Sequence, residues 1–234
     1  MDSKKQFVLK GNGLAVDADF PVAQYESIYS MVVAKHGSNP RYEHFSGAWN
    51  ALAYRFVAAA NYGNDLVESF RAYGTSPPPN ERFIQERLLF DFFSSGFSAF
   101  ECVFYGCYAI GSFLVPDNFL LASAKEQQQV SPTRTRDAFL KAFPGDQLLM
   151  DINKLFLDQE YQRWGEIRNI LTHRAAPGRT MYVSLGEDDQ PPTVWKLNNS
   201  TIDESVAIKG HQELSRLLNE ILSAIESFVI AKHR

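Results

Sequence analysis

Cysteine is nearly missing: Cys102 and Cys107 are the only two in 234 residues. They stand five apart in an apolar segment, a spacing that fits no common zinc or thiol-redox motif. They read as free core thiols in a reducing compartment. There is no glycine-rich phosphate loop and no Gly-x-Ser-x-Gly elbow, so P-loop and nucleophile-elbow chemistry have no residues to stand on. His36, Glu43 and His44 are neighbours in sequence, but their spacing across Gly37 and Pro40 matches no metal motif. Positive charge is not in excess either. With 23 Lys and Arg against 27 Asp and Glu, the net charge is −4, unlike a general nucleic-acid coat. Met1-Asp2-Ser3-Lys4-Lys5-Gln6 does not lead into the apolar stretch of a signal peptide. The apolar region Leu88 to Val115 is interrupted by Asp91 and Glu101. Its uncharged remainder, Cys102 to Pro116, falls short of the about 20 residues a membrane-spanning helix needs. The expectation is a cytoplasmic protein without metal, cofactor or membrane contact.

What is present is an ordinary globular composition, 45% hydrophobic and 21% charged, with an unusual 18 Phe. This length suits one domain, residues 1–234, with a bulky interior. Residues 1–18 show no period and read as an irregular lead-in. Helical spacing of apolar residues then starts near Asp19-Phe20-Pro21 and runs to Gly37. A second helix carries Phe45, Trp49, Leu52 and Phe56, and weakens at Asn61-Tyr62-Gly63-Asn64. Gly74-Thr75-Ser76-Pro77-Pro78-Pro79 is the clearest linker. Beyond it, Asn80 caps a long helix, about Glu81 to Phe113, apolar on nearly every side, as suits the middle of a bundle. Lys125 to Gln129 reads as a solvated connection. Ser131-Pro132 and Asp146 start two further helices, the second kinked near Asp158. Thr180 to Leu185 and Thr193 to Leu197 form the one strand signal, a hairpin at about 180–197 around the polar turn Gly186 to Pro192. A last helix, about 202–232, buries Leu214, Leu218, Ile221, Ile225 and Phe228. The sum is an all-α, up-and-down bundle of about five to seven helices with a small appended hairpin.

One stretch carries candidate chemistry: Tyr161 through Arg174. At about 100° per residue, Gln162, Glu166, Asn169 and His173 share one narrow stripe of a helix. Trp164, Ile167 and Leu171 lie roughly opposite, and Arg168 sits on the shoulder of the apolar side. Between Tyr161 and Thr180 four arginines, Arg163, Arg168, Arg174 and Arg179, face one acid, Glu166.

The string Arg168-Asn169-Ile170-Leu171-Thr172-His173 lies late on a helix and follows the aromatic-rich helix of Phe90, Phe92, Phe93, Phe97, Phe100 and Phe104. That combination resembles the HEPN superfamily of helical bundles over residues 80–176. Its nuclease members carry an Arg-x4–6-His signature, frequently with Asn after the Arg. The resemblance implies metal-independent cleavage of RNA by a homodimer that pairs two motifs in one cleft. Arg168, Asn169 and His173 would be the catalytic set, with Arg163, Arg174 and Arg179 binding substrate and Glu166 supporting them. It leaves open a neutralising protein partner, as in toxin–antitoxin or defence systems. The roles make physical sense. An imidazole exchanges protons near neutral pH, and a guanidinium fork grips phosphate and offsets charge that builds in the transition state. Asn169, one turn before His173, can orient the ring or bond the substrate. One His per chain cannot be acid and base at once, which is the reason to expect two copies.

The same residues admit plainer roles. Arg168 could pair with Glu166, Asp91 or Glu101, and His173 could cap helix-end carbonyls. A non-catalytic module that binds a nucleotide, RNA or protein would use the same surface.

Overall fold

A computed structural model of the chain describes residues 6–173, 177–180, 193–197 and 200–233. Among these residues the chain is helical, with eight helices and five strands of two to four residues. In order they are β1 (Gln6–Val8), β2 (Ala15–Asp17), α1 (Val22–His36), α2 (Tyr42–Tyr73), α3 (Pro79–Leu114), α4 (Ala124–Gln128), α5 (Pro132–Ala142), α6 (Gln147–Leu157), α7 (Gln159–His173), β3 (Gly178–Thr180), β4 (Val194–Leu197), β5 (Ser200–Thr201) and α8 (Glu204–His233). The architecture is the all-α bundle with a small appended sheet that the hydrophobic periodicity implies.

Several elements correct the sequence reading. Residues 1–18 are not irregular throughout: β1 and β2 pair antiparallel, with Phe7 opposite Val16. Gly13 takes φ +69° in the turn between them, and Asn12 Oδ1 accepts from the Leu14 N–H at 3.0 Å. Three-residue strands are too short to show a period, although Gly11-Asn12-Gly13 was a readable turn. Helix α1 starts at Val22 with Pro21 at its N-cap and no side-chain cap bond. Helix α2 does not break at Gly63. That glycine admits the Phe92 ring, which a Cβ there would meet at 3.0 Å, so the residue that looked like a breaker is a packing notch. The run 125–129 is partly helical, because Ser123 and Glu126 form a capping box that holds α4. The expected hairpin at 180–197 is realised as β3 pairing β4, Arg179 opposite Trp195, with β5 added on the far side of β4. Its turn, Gly186 to Pro192, and most of its first strand lie outside the described residues.

The chain divides into two compact units, residues 1–57, 98–162 and 215–234 in one and residues 58–97 and 163–214 in the other. All four boundaries fall inside helices (α2, α3, α7 and α8), not in the exposed linkers that usually separate domains. The first unit is organised by Trp49, stacked between Tyr25 and Phe45. The Trp49 indole N–H donates to the Tyr25 carbonyl at 3.2 Å, and the Tyr25 hydroxyl donates to the Trp49 carbonyl at 3.1 Å. The reciprocal pair satisfies both polar atoms of two fully buried rings. A second aromatic nest gathers Phe119, Phe139, Phe143 and Phe228.

The second unit is built around Trp164 and Trp195. Trp164 packs on Phe92 and Phe93 with ring centroids 5.0 and 4.7 Å away. It fills the hollow left by Gly96, where any Cβ would run into the indole. Helix α3 is, by length and composition, able to cross a membrane, but 61% of its most apolar window is buried inside the protein, which is how the central helix of a bundle behaves.

Candidate functional site

Helix α7 begins where α6 is forced to stop. Asp158 leaves the helical region, with ψ 126°. Its carboxylate accepts from the Glu160 and Tyr161 backbone N–H groups at 2.8 and 3.3 Å. A third bond comes from Arg216 Nη2 to Oδ2 at 3.1 Å. Partial burial pushes the Asp158 pKa up, but the Glu160 N–H, Arg216 and the Tyr161 N–H outweigh it and hold the carboxyl below its ordinary value. From the other direction Gln162 Nε2 donates to the Phe156 carbonyl at 2.8 Å, covering the frayed end of α6. The expected kink near Asp158 is therefore a complete stop and restart.

The apolar side of α7 is fixed next. Tyr161, Trp164, Ile167 and Ile170 are buried, while Leu171 is only half-buried. On the opposite side Gln162, Glu166, Asn169 and His173 are all exposed. The stripe predicted from spacing is present as a solvent-facing surface. Asn169 and His173, four residues apart, project from adjacent turns, but Gln162 serves the α6 end.

Arg168 sits between the two faces, half-buried, with its guanidinium carbon 4.7 Å from the centre of the Phe97 ring. Phe97 can lie there because Gly165, one turn earlier, has no side chain: a Cβ would meet the ring at 3.0 Å. So Gly165 admits the ring and the ring carries the guanidinium, a cation–π seat that limits where the charge can point. Phe97 and Gly165 are positioning residues that sequence reasoning passed over. The available signal was the glycine three residues before the arginine, together with an aromatic run on α3.

The remaining arginines divide. Arg163 is half-buried on α7, and Arg174 lies outside the described residues. Arg179, assigned to substrate by the sequence, belongs to the interior instead. Its side chain is 4% exposed. The guanidinium carbon stands 3.9 Å over the Trp195 ring, Nη1 donates to the Thr75 carbonyl at 2.9 Å, and Nη2 donates to Gln85 Oε1 at 3.0 Å. Glu86 is 3.8 Å from its Nε. Burial, only partly offset by Glu86, draws its pKa down. Buried Gln85 in turn donates to the Gly74 carbonyl, and Thr75 Oγ1 donates to the Thr193 carbonyl. The segment 74–79 that looks like a free linker is thus knotted to the small sheet.

Elsewhere, His36 stacks on Phe113 and His44 lies beside Tyr105. Among the described residues no three His, Cys, Asp or Glu side chains gather closely enough to hold a metal ion. Comparison of the chain with family models, with curated proteins and with solved structures gives no match.

Proposed function

We propose that the chain is a metal-independent endoribonuclease of the HEPN type, working in the cytoplasm as a homodimer. The observation that carries this reading is the end of α7, where Asn169 and His173 are exposed on one stripe and the Arg168 guanidinium rests on Phe97 between that stripe and the apolar side. In the proposed reaction His173 of one copy takes the proton of a ribose 2′-hydroxyl. The 2′-oxygen attacks the adjacent phosphorus, the bond from phosphorus to the 5′-oxygen breaks, and the partner's His173 returns a proton to that oxygen. The products are a cyclic 2′,3′-phosphate and a free 5′-hydroxyl. Arg168 offsets the extra negative charge on the phosphoryl oxygens, Asn169 orients the imidazole or the substrate, Arg163 and Arg174 hold flanking phosphates, and Glu166 steadies them.

The test is incubation of the purified protein with structured and unstructured RNA in EDTA, beside His173→Ala and Arg168→Ala. Loss of cleavage in both variants with folding intact is the expected result. Equal cleavage by wild type and His173→Ala sinks the proposal. Light scattering that shows only monomer at micromolar concentration removes the paired-site mechanism.

A second reading, a non-catalytic module that binds a nucleotide, RNA or a protein partner, is favoured by one feature. Arg179 is committed to the interior, which leaves fewer cations for gripping a phosphate chain. Binding without cleavage by the wild type supports that alternative.

A further inference from the structure

Seven glycines lie within the described helices, and six of them have an obvious reason. A Cβ at Gly63, Gly96, Gly106, Gly111, Gly165 or Gly210 would meet an aromatic ring of this chain within 3.1 Å. Each marks a place where a flat ring is laid against a helix backbone. Gly47 in α2 is the exception: a Cβ there would meet nothing within 4 Å. A glycine inside a helix costs about 1 kcal/mol relative to alanine, and here no packing among the described residues accounts for it.

Gly47 faces a cleft of about 620 Å³ in the first unit, within the size range of small-molecule sites. Its floor is low because Gly47, Ala48 and Ala51 of α2 are small. Across from them, α3 brings Glu101, Cys102 and Tyr105, and α2 adds Glu43, His44 and Arg55. The Tyr105 hydroxyl is 3.4 Å from His44 Nδ1, so these two rings form a joined wall. Both signs of charge border the cleft: the guanidinium of Arg55 and the carboxylates of Glu43 and Glu101. Burial raises the Cys102 thiol to about 11, against the pull of Arg55, so it stays protonated and serves as a soft, neutral contact rather than a nucleophile.

We infer that this cleft is a binding site for a small zwitterionic molecule built on a flat ring, the chemical class of a free aromatic amino acid. The ring lies in the notch over Gly47, as rings of the chain itself lie over the other six glycines. The tilted His44–Tyr105 pair flanks it. Arg55 takes the carboxylate in a charge-assisted bond, and Glu43 and Glu101 face the ammonium group. The site is independent of the α7 surface, so its fate says nothing about RNA cleavage.

Calorimetric titration of the full chain with L-tryptophan and L-phenylalanine tests it, with tryptamine as the probe that lacks a carboxylate. One site per chain is expected for the amino acids. Gly47→Leu fills the notch while improving helix propensity; it should weaken binding at least tenfold with Tm equal to or above that of wild type. Arg55→Ala should weaken L-tryptophan about tenfold and leave tryptamine unaffected. The inference is overturned if neither amino acid binds at millimolar concentration, if Gly47→Leu binds as well as wild type, or if Arg55→Ala weakens both probes equally.

Discussion

Arg168 and Arg179 are eleven residues apart, and each lays its guanidinium over an aromatic ring, at 4.7 Å on Phe97 and 3.9 Å on Trp195. The stacking is alike, but the burial differs. Arg179 is 4% exposed, donates to a carbonyl and a buried amide, and stands near Glu86. It closes a knot of Thr75, Gln85 and Trp195 that ties the α2–α3 connection to the sheet. Arg168 rests on its ring at the edge of an exposed stripe, half-open to water. A ring under a guanidinium therefore says little about purpose. What separates the two is burial: Arg179 lies in the interior, and Arg168 lies at the edge of an exposed stripe.

Breaking the comparison from the Arg179 side should have the largest effect. Arg179→Ala strands buried Gln85 and the carbonyl of Thr75, and should cost about 3–5 kcal/mol of stability, read as a fall in Tm in thermal denaturation. RNA cleavage measured well below the new Tm should survive. The reverse pattern is expected for Arg168→Ala: at least about a hundredfold less cleavage, with Tm nearly unchanged. If the two variants behaved alike in both assays, the contrast drawn between the two sites would be wrong.

Smaller changes sharpen it. Gly96→Ala drives a methyl group into the Trp164 indole that backs α7, an overpacking expected to cost about 1–3 kcal/mol in chemical denaturation. Asp158→Asn keeps a capping oxygen but loses the charge that faces Arg216 and the start of α7, and should cost about 1 kcal/mol near neutral pH. The sign with pH follows from a depressed pKa. The carboxylate's share of stability is fully present above the unfolded Asp value, about pH 4, and is lost as pH falls through the lower folded value. The difference between wild type and Asp158→Asn in a Tm-versus-pH series should therefore close in acid. Least of all, Phe97→Leu removes the seat of Arg168, a contact worth about 0.5–1 kcal/mol. It should slow cleavage only about two- to fivefold, visible in single-turnover rates.

Much of the frame was legible in the chain, because helices announce themselves by period. The caps at Ser131 and Asp146 fall where residue type and spacing put them, and a full break stands at Asp158 where a kink was expected. The exposed stripe on α7 was equally readable. Two kinds of feature were not. Strands of two to four residues, as in β1 and β2, carry too few alternations to signal, so the N-terminal hairpin passed for a lead-in. Glycine at 63 and linker composition at 74–79 are local signs of interruption, yet contacts far away in sequence, with Phe92 and with Arg179, give them the opposite meaning. Arg179 itself was grouped with Arg163 and Arg168 by proximity along the chain, and proximity does not tell an inward residue from an outward one.

The shared use of Asp158 has a consequence for how this chain can change length. Since Asp158 ends α6 and begins α7, it sets the rotational phase of every residue after it. One residue inserted between Asp158 and Arg168 would turn the remainder of α7 by about 100°. His173 would swing off the exposed stripe and apolar positions would swing toward water, while Arg168 would leave its ring. Insertions between α4 and α5, around Gln129 and Val130, carry no such penalty, because Ser131 opens α5 with its own cap. The surface proposed for catalysis is in this sense addressed by counting: eleven residues from a single aspartate to an asparagine, and four more to a histidine.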